Sequence, residues 1–451
     1  MQEKRGSFTG KIGFVLAAAG SAVGLGNIWR FPYLAAKYGG GIFLLVYIAL
    51  ALTFGFSLMI AEIAIGRKTG LSPLGAFRAL DKRFSFIGVL AAIVPAIILP
   101  YYSVIGGWVM KYIVGFVSGR GDDMADGAYF GSYISSTAEP LLWFALFVGI
   151  TALIVLLGVN KGIEKVSKIM MPALVVLVLF ISIYSMFAVD GALDGVVYYL
   201  KPDYTKFSIK TVVAAMGQLF YSMSLAMGIM ITFGSYMKKD INIEKSVHQI
   251  EIFDTGVAFL SGLMIIPAVY AFGGEEACGA SGPGLIFSTL PKIFDTMPGG
   301  AVIGAIFFIM VFFAALTSSI SLMETVVATL LDKLKINRKV ACLIVLLFSF
   351  ALGAFSSLGY SAWSGVELLG MQILDFFDFI SNNILMPVVA LATSIFVGFF
   401  LKSKAISDEV ELSHKFKAKK LFEVTIKYIA PVCILTILVT SILGAFGVMK
   451  I

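Results

Sequence analysis

The sequence predicts an all-α membrane protein with about eleven transmembrane helices, of which the first and the sixth are discontinuous. Three observations predict this fold. Of the 451 residues, 59% are hydrophobic and only 14% are charged; the apolar residues form runs long enough to cross a bilayer; and two runs contain helix-weakening residues at their centres. Soluble domains are about half apolar and a quarter charged, whereas a spanning helix needs about 20 mostly apolar residues. Lipid is therefore the solvent that this composition fits.

The apolar runs define eleven spans within a single transmembrane domain, residues 1–451. Two sets of five spans, at about 12–188 and 209–401, are expected to form a 5+5 inverted repeat, with an eleventh span at about 418–449. No sequence repeat is evident, so this symmetry rests on position alone. The predicted spans are 12–36, 40–66, 87–117, 140–158, 163–188, 209–237, 247–273, 301–332, 339–356, 367–401 and 418–449.

Lysine and arginine predict the orientation, because cytoplasmic loops carry an excess of both residues. The N-terminal residues and every second loop after them are basic, which predicts a multi-pass protein of the cell inner (plasma) membrane. The N-terminus is then cytoplasmic and, with an odd number of spans, the C-terminus lies outside. The same loops account for the net charge of +7, so nucleic acid is not an expected partner. The sequence does not indicate the oligomeric state.

The loop at 274–298 combines glycine and proline with the apolar run Leu285–Leu290. We interpret it as an outer loop that turns back over the protein, either as a gate or as a passive cover.

Two spans contain a predicted helix break. Segment 1 has Gly20, Gly24 and Gly26 within seven residues, and each glycine weakens a helix by about 1 kcal/mol relative to alanine. Segment 6 has the run 222–228 (SMSLAMG) near its middle. Irregular backbone at membrane depth must be buried in protein or line a wet cavity. Broken helices at matching positions are typical of a transport site, although small residues also allow close helix packing.

Polar residues inside the spans favour transport over packing. Ionisable side chains are rare within spans and usually mark pathways or pair with one another, and Asn27, Arg30, Asp254, the run 317–319 (TSS) and Asp378 all lie within spans. Hydroxyl and amide oxygens suit a hard cation such as sodium. No nucleophile and base are arranged for catalysis and no phosphate loop is visible, so the chain is not expected to be an enzyme.

The run 17–32 (AAAGSAVGLGNIWRFP) resembles the signature of the neurotransmitter:sodium symporters, especially their bacterial amino-acid branch. The resemblance extends over nearly the whole chain and includes 217–236 (GQLFYSMSLAMGIMITFGSY) and 314–319 (AALTSS). It implies a sodium-coupled symporter that imports an amino acid by alternating access.

The resemblance also implies two sodium sites. The first would use the Ala22 carbonyl, the side chains of Asn27, Ser222 and Asp254, and the carboxylate of the substrate. The second would use the carbonyls of Gly20, Val23 and Ala314 and the hydroxyls of Thr317 and Ser318. Because the substrate completes the first site, binding of the ion and binding of the substrate are expected to be coupled.

The family pattern places the substrate between the two breaks. Its carboxylate would meet the Leu25 and Gly26 amides and the Tyr102 hydroxyl, and its ammonium would meet backbone oxygens of Ala22, Tyr221 and Ser224, with Ser222 beside them. The side-chain pocket would consist of Ser21, Ile98, Tyr221, Met227, Ser318, Ser319 and Leu322. This pocket carries no spare charge, which favours a neutral, hydrophobic or aromatic L-amino acid.

Gates follow from the same resemblance. Arg30 and Asp378 would form the outer gate with Tyr102 and Tyr221, and Asp375 is the alternative to Asp378. Arg5 and Asp332, supported by Tyr236, would form the inner ion pair, and Phe8 replaces the usual tryptophan beside it. Gly162 and Pro172, nine residues apart, match the family's element for unwinding helix 5 toward the cytoplasm; an ordinary helix start followed by a proline kink is the alternative.

Chloride is not expected as a cofactor. Animal members bind it close to the first sodium site, but Ala258 replaces their serine and Asp254 replaces their asparagine, so a fixed carboxylate can supply the negative charge. If Asp254 takes up a proton after sodium leaves, protons would be counter-transported. Two other functions stay open: a proton-coupled amino-acid carrier, and an amino-acid-binding membrane receptor that does not transport.

Overall fold

The computed structural model describes residues 6–278 and 282–445, and within these ranges it is helical, without strands. The membrane helices are α1 (Lys11–Ala22), α2 (Gly26–Lys37), α3 (Gly41–Thr69), α4 (Lys82–Val117), α5 (Ala138–Leu156), α6 (Val159–Ala188), α7 (Ile209–Ser222), α8 (Ile229–Ser235), α9 (Ile243–Ala277), α10 (Gly300–Leu334), α11 (Arg338–Leu358), α12 (Ile373–Phe400) and α13 (Lys419–Gly444).

The prediction of an all-α membrane protein is confirmed. Nine of the described helices are each long and apolar enough to cross a bilayer, and the bent pair α1 and α2 makes a tenth span. The interrupted pair α7 and α8 occupies the place of the predicted sixth span. Most predicted bounds agree within a few residues. The largest difference is α12, which begins at Ile373 rather than 367 because residues 368–371 close a tight turn.

Both predicted breaks are present. Helix α1 ends at Ala22, Val23 is extended, and α2 then departs at an angle of 56°. It begins with the wide π-helical turn Gly26–Arg30, a form that is frequent at functional sites.

The second break, residues 223–228, has an unusual backbone. Ser224, Ala226 and Gly228 have φ values of +52°, +60° and +69°. A left-handed conformation costs a residue with a side chain about 1 kcal/mol or more, so tertiary contacts must hold Ser224 and Ala226 in place.

Packing brings both breaks to the centre of the molecule. Helix α1 lies against α6, α9 and α10, and α10 runs along α4. This arrangement places the hydroxyls of residues 317–319 and the Tyr102 side chain beside the first break.

Helices α3 and α8 approach each other through glycine. A Cβ on Gly66 would lie 1.9 Å from the Ile231 carbonyl oxygen, and a Cβ on Gly234 would lie 2.3 Å from the Ile63 carbonyl oxygen. Each helix therefore contacts the backbone of the other, as small residues allow in membranes.

We expect Gly66→Ala to destabilise the protein, because the added methyl group would overlap a backbone carbonyl that cannot rotate away. Overpacking typically costs about 1–3 kcal/mol, which should lower the thermal midpoint measured by tryptophan fluorescence in detergent. Gly149→Ala is the control, since a Cβ there meets nothing within 4 Å. An unchanged midpoint in Gly66→Ala would mean that the two helices are not in close contact.

The loop after α9 turns back onto the protein as predicted. Residues 279–281 lie outside the described residues, but Leu285–Thr289 and Leu290–Thr296 form short helical turns. The Tyr112 hydroxyl donates to the Phe287 carbonyl at 2.6 Å, and the Phe287 ring stacks on Phe130. Whether this loop is a gate or a cover stays open.

Candidate functional site

The two breaks border one cavity, in which about 30 Å³ is open to the centre of a water-sized sphere. It is lined by Ser21, Ala22, Gly24, Leu25, Gly26, Asn27, Ile98, Tyr102, Tyr221, Ser222, Ser224, Met227, Ile229, Ser318 and Leu322. Every residue predicted to contact the substrate is in this set except Ser319. Gly24 and Ile229 line the cavity without having been predicted there.

Ser319 faces away from the cavity. Its hydroxyl lies 3.1 Å from that of Thr151 on α5. Consecutive residues of a helix point about 100° apart, so Ser318 faces the cavity while Ser319 faces the neighbouring helix.

Hydrogen bonds join the two breaks to each other. The Ser224 hydroxyl donates to the Ser21 carbonyl at 2.9 Å and lies 3.0 Å from the Ser21 hydroxyl. The Leu25 amide donates to the Tyr102 hydroxyl at 3.3 Å. The cavity walls therefore offer hydroxyl and backbone groups at the places where the family pattern puts the two charged ends of an amino acid.

Glu62 hydrogen-bonds to the second break and is not among the site residues predicted from the sequence. Its Oε1 accepts the Ala226 amide at 2.7 Å, and the residue is 2% exposed. This bond satisfies an amide of the unwound backbone and fixes Ala226 in its left-handed conformation. A glutamate within the otherwise apolar run 58–65 was the available signal.

The predicted first sodium position is a buried polar cluster around Asp254. Its Oδ1 accepts the Asn27 side-chain amide at 2.8 Å and the Ser222 hydroxyl at 2.6 Å, and its Oδ2 accepts the Tyr47 hydroxyl at 3.1 Å. Ala22 lies at the same cavity. Carboxylate, amide and hydroxyl groups at one point suit a hard cation.

The predicted second sodium position gathers oxygens of α1 and α10. The Ser318 hydroxyl lies 3.4 Å from both the Gly20 and the Val23 carbonyl oxygens. The Thr317 hydroxyl lies 3.2 Å from the Ala314 carbonyl oxygen. Ser318 therefore lies beside two of the predicted carbonyl ligands, and Thr317 lies beside the third; all five predicted ligands offer oxygen. Among the residues that the structure describes, no cluster of three His, Cys, Asp or Glu side chains could hold a metal ion.

The residues of the predicted outer gate lie above the cavity. The Arg30 guanidinium lies over the Tyr221 ring, 5.7 Å from its centroid. Asp378 instead accepts the Tyr101 hydroxyl at 3.1 Å and the Asn382 amide at 2.7 Å. In the described part of the chain, Arg30 and Asp378 form no direct ion pair, although the Arg30 charge acts on Asp378 through space.

Asp375, the alternative outer-gate residue, is exposed on the same helix, and its charge also lies close enough to act on Asp378. Tyr102 lines the cavity beneath this region.

The predicted inner gate is described only in part. Arg5 lies outside the described residues. Asp332 accepts the Ser72 amide at 2.7 Å, and the Tyr236 hydroxyl donates to Glu324 at 2.7 Å. Phe8 is fully buried, with its ring edge-on to Phe14, Phe233 and Tyr236.

Helix α6 begins with a wide turn at the predicted unwinding element. The turn Val159–Glu164 is π-helical and contains Gly162, where a Cβ would lie 2.1 Å from the Ile154 carbonyl oxygen. Pro172 lies within the helix that follows. The turn is formed, and its unwinding stays a prediction.

Comparison with known proteins gives consistent results. The model of the sodium:neurotransmitter symporter family matches residues 5–120 and 132–447. The sodium-dependent transporter YhdH of Bacillus subtilis strain 168 is 35% identical, with 98% of each chain covered. The human sodium- and chloride-dependent GABA transporter 2 is 25% identical over 97% of this chain and 80% of its own. The crystal structure of MhsT in complex with L-phenylalanine matches with a TM-score of 0.88 and 35% identity, covering 97% of this chain and 100% of that one.

Proposed function

Because the chain belongs to the sodium:neurotransmitter symporter family and is a multi-pass, sodium-dependent membrane transporter, we propose that it imports a neutral L-amino acid, hydrophobic or aromatic, together with two sodium ions. The cavity between the two broken helices carries this proposal. Hydroxyl and amide groups surround one end of the cavity, and no charged side chain lines it among the described residues.

Coupling would arise at the boundary between the ion and the substrate. Ser222 and Asn27 line the cavity and also bind Asp254, so a substrate carboxylate placed there would be a direct ligand of the first sodium. Each ligand would then raise the affinity for the other by the same factor. The Leu25 and Gly26 amides would hold the same carboxylate from the start of α2, where the helix dipole favours negative charge.

The hydrophobic walls support the substrate class. Ile98, Met227, Ile229 and Leu322 line the cavity, and methionine adapts to side chains of different shape. MhsT, whose structure contains L-phenylalanine, has the same fold at 35% identity. Both observations favour an apolar side chain, aliphatic or aromatic.

Gate roles and orientation belong to the same proposal. Arg30 and Asp378 would close the site from outside, and Asp378 suits this role better than the exposed Asp375 because Tyr101 holds its carboxylate. Arg5 and Asp332 would close it from the cytoplasm, beside Tyr236. The basic loops support a cytoplasmic N-terminus and an outside C-terminus in the inner (plasma) membrane.

We expect chloride to be unnecessary, because the Asp254 carboxylate supplies a fixed negative charge within the ion site. Uptake of labelled amino acid into proteoliposomes at fixed sodium should stay within about twofold when gluconate replaces chloride. In the double variant Asp254→Asn, Ala258→Ser, uptake should fall about tenfold or more without chloride, since a buried cation left without its anion is costly. Ala258→Ser alone, which keeps the carboxylate, is the control. Chloride-dependent uptake by the unmodified protein would contradict the expectation.

The function itself is tested by binding of twenty radiolabelled amino acids to the purified protein, in sodium and then in potassium buffer. We expect sodium-dependent binding of one chemical group of substrates, which Asn27→Ala and Thr317→Ala should remove. Binding that is equal in both buffers would favour the proton-coupled carrier. Binding with sodium dependence but no uptake into proteoliposomes would favour the receptor.

A further inference from the structure

Glu164 is a buried carboxylate that the proposed ion and substrate sites do not use. It ends the π-helical turn Val159–Glu164 at the start of α6, and its side chain is 2% exposed. Taking a carboxylate out of water costs several kcal/mol unless it is paired and hydrogen-bonded. The hydrogen-bond partners of Glu164 therefore show which segments of the protein it joins.

Both of its oxygens bind the segment that leads into α1. The Thr9 amide donates to Oε2 at 2.9 Å, and the Thr9 hydroxyl donates to Oε1. Lys168 adds a charge from the surface, with Nζ 2.6 Å from Oε1 and a side chain that is 41% exposed. One carboxylate thus joins the N-terminal segment to the first turn of α6.

Gly13 lets α1 approach the same carboxylate. A Cβ there would lie 2.1 Å from Oε1 of Glu164 and 2.4 Å from its Cδ. Any larger residue at position 13 would displace the carboxylate from Thr9. Gly20, whose carbonyl belongs to the predicted second sodium site, lies about two helical turns further along α1.

We propose that Glu164 is a positioning residue that couples two movements: unwinding of the turn Val159–Glu164, and release of residues 8–13 from the inner face of the protein. This inference rests on the proposed function, because these two movements would expose the second sodium site to the cytoplasm. When the turn unwinds, Glu164 moves with it, and Thr9 loses the acceptor of both its donors. When the N-terminal segment leaves first, the buried carboxylate loses two of its three hydrogen-bond donors.

Such a coupling is reciprocal, because each element stabilises the other through the same bonds. With Glu164 in place, the two elements open together. When Glu164 loses its charge and one of its two acceptor oxygens, the turn and the N-terminal segment should each open more often in the sodium-bound protein.

Amide hydrogen exchange of the purified full-length protein tests this, following peptides that cover residues 6–22 and 159–172 in sodium and in potassium buffer. In Glu164→Gln, which keeps the side-chain volume, we expect both segments to exchange about tenfold faster in sodium, as the loss of charge-assisted hydrogen bonds predicts. In the unmodified protein, sodium should slow exchange in both segments together.

Gly13→Ala provides an independent variant, since it displaces the carboxylate without changing it. Alanine favours helix over glycine, so helix propensity alone predicts slower exchange in α1. Faster exchange in both segments would therefore come from the displaced Glu164. Glu139→Gln is the matched control, because Glu139 pairs with Lys111 but does not contact the N-terminal segment; its exchange in both segments should stay within about twofold of the unmodified protein.

Three results would overturn the coupling: acceleration of only one segment in Glu164→Gln and Gly13→Ala, acceleration of neither, or equal acceleration in Glu139→Gln. The proposed function fails separately, if sodium changes nothing in the unmodified protein. In that case the comparison of variants within one buffer still decides the role of Glu164.

Discussion

Replacing Asp254 with alanine is expected to abolish sodium-dependent substrate binding. The Asp254 carboxylate is fully buried and accepts hydrogen bonds from Asn27, Ser222 and Tyr47. Alanine removes the only formal charge among the predicted side-chain ligands of the first sodium and leaves three buried donors without their acceptor. Each such loss costs about 1–3 kcal/mol, so the affinity for substrate in sodium buffer should fall at least about a hundredfold.

Scintillation proximity binding of the preferred amino acid, titrated against sodium, measures this effect. Asp194→Ala is the control, since that carboxylate is exposed and is not among the residues that line the cavity; its sodium titration should match that of the unmodified protein. A folded Asp254→Ala variant that binds substrate with unchanged sodium dependence would remove Asp254 from the proposed ion site. A thermal unfolding curve taken alongside separates loss of binding from loss of fold.

Gly26→Ala should be nearly as severe, for a steric reason. A Cβ on Gly26 would lie 2.4 Å from Cδ1 and 2.6 Å from Cε1 of the Tyr221 ring. Tyr221 lines the cavity and lies beneath Arg30, so the added methyl group would push the ring into the space of the substrate or open the outer gate. We expect up to about a hundredfold weaker binding, since overpacking a well-packed site typically costs about 1–3 kcal/mol.

Gly217→Ala is the matched control for this variant. Gly217 lies one turn before Tyr221 on α7, and a Cβ there meets nothing within 4 Å. Equilibrium binding in sodium buffer should therefore be unchanged in Gly217→Ala and strongly reduced in Gly26→Ala. Equal binding by both variants would mean that substrate binding does not depend on the position of the Tyr221 ring against Gly26.

The fold and the central cavity could be predicted from sequence because their signals are local. The glycines in segment 1 and the run 222–228 weaken the helices that contain them. The family motifs then assign a role to each residue within the same short stretches. Contacts between distant segments could not be predicted in this way. Three adjacent polar residues, 317–319, cannot all face one cavity, and only the position of Thr151 on α5 shows which one turns away.

The outer gate illustrates the same limit. The family resemblance pairs Arg30 with Asp378, but Tyr101 on α4 and Asn382 bind the Asp378 carboxylate. Glu62 shows the converse: its charge within an apolar run was visible, but its partner, the Ala226 amide, lies 164 residues away. A buried charge can be recognised in sequence, whereas the group that it satisfies depends on the packing of the helices.

The close contact between α3 and α8 links the second break, beside the cavity, to a helix far along the chain. Because the backbones of α3 and α8 touch at Gly66 and Gly234, we expect the two helices to move together. On α3, Glu62 binds the Ala226 amide in the second break. About one and a half turns further along α3, Arg67 binds Glu409 on the helix Ser403–Glu411. We therefore expect a distortion of the second break to shift the helix Ser403–Glu411 as well, because one helix contacts both.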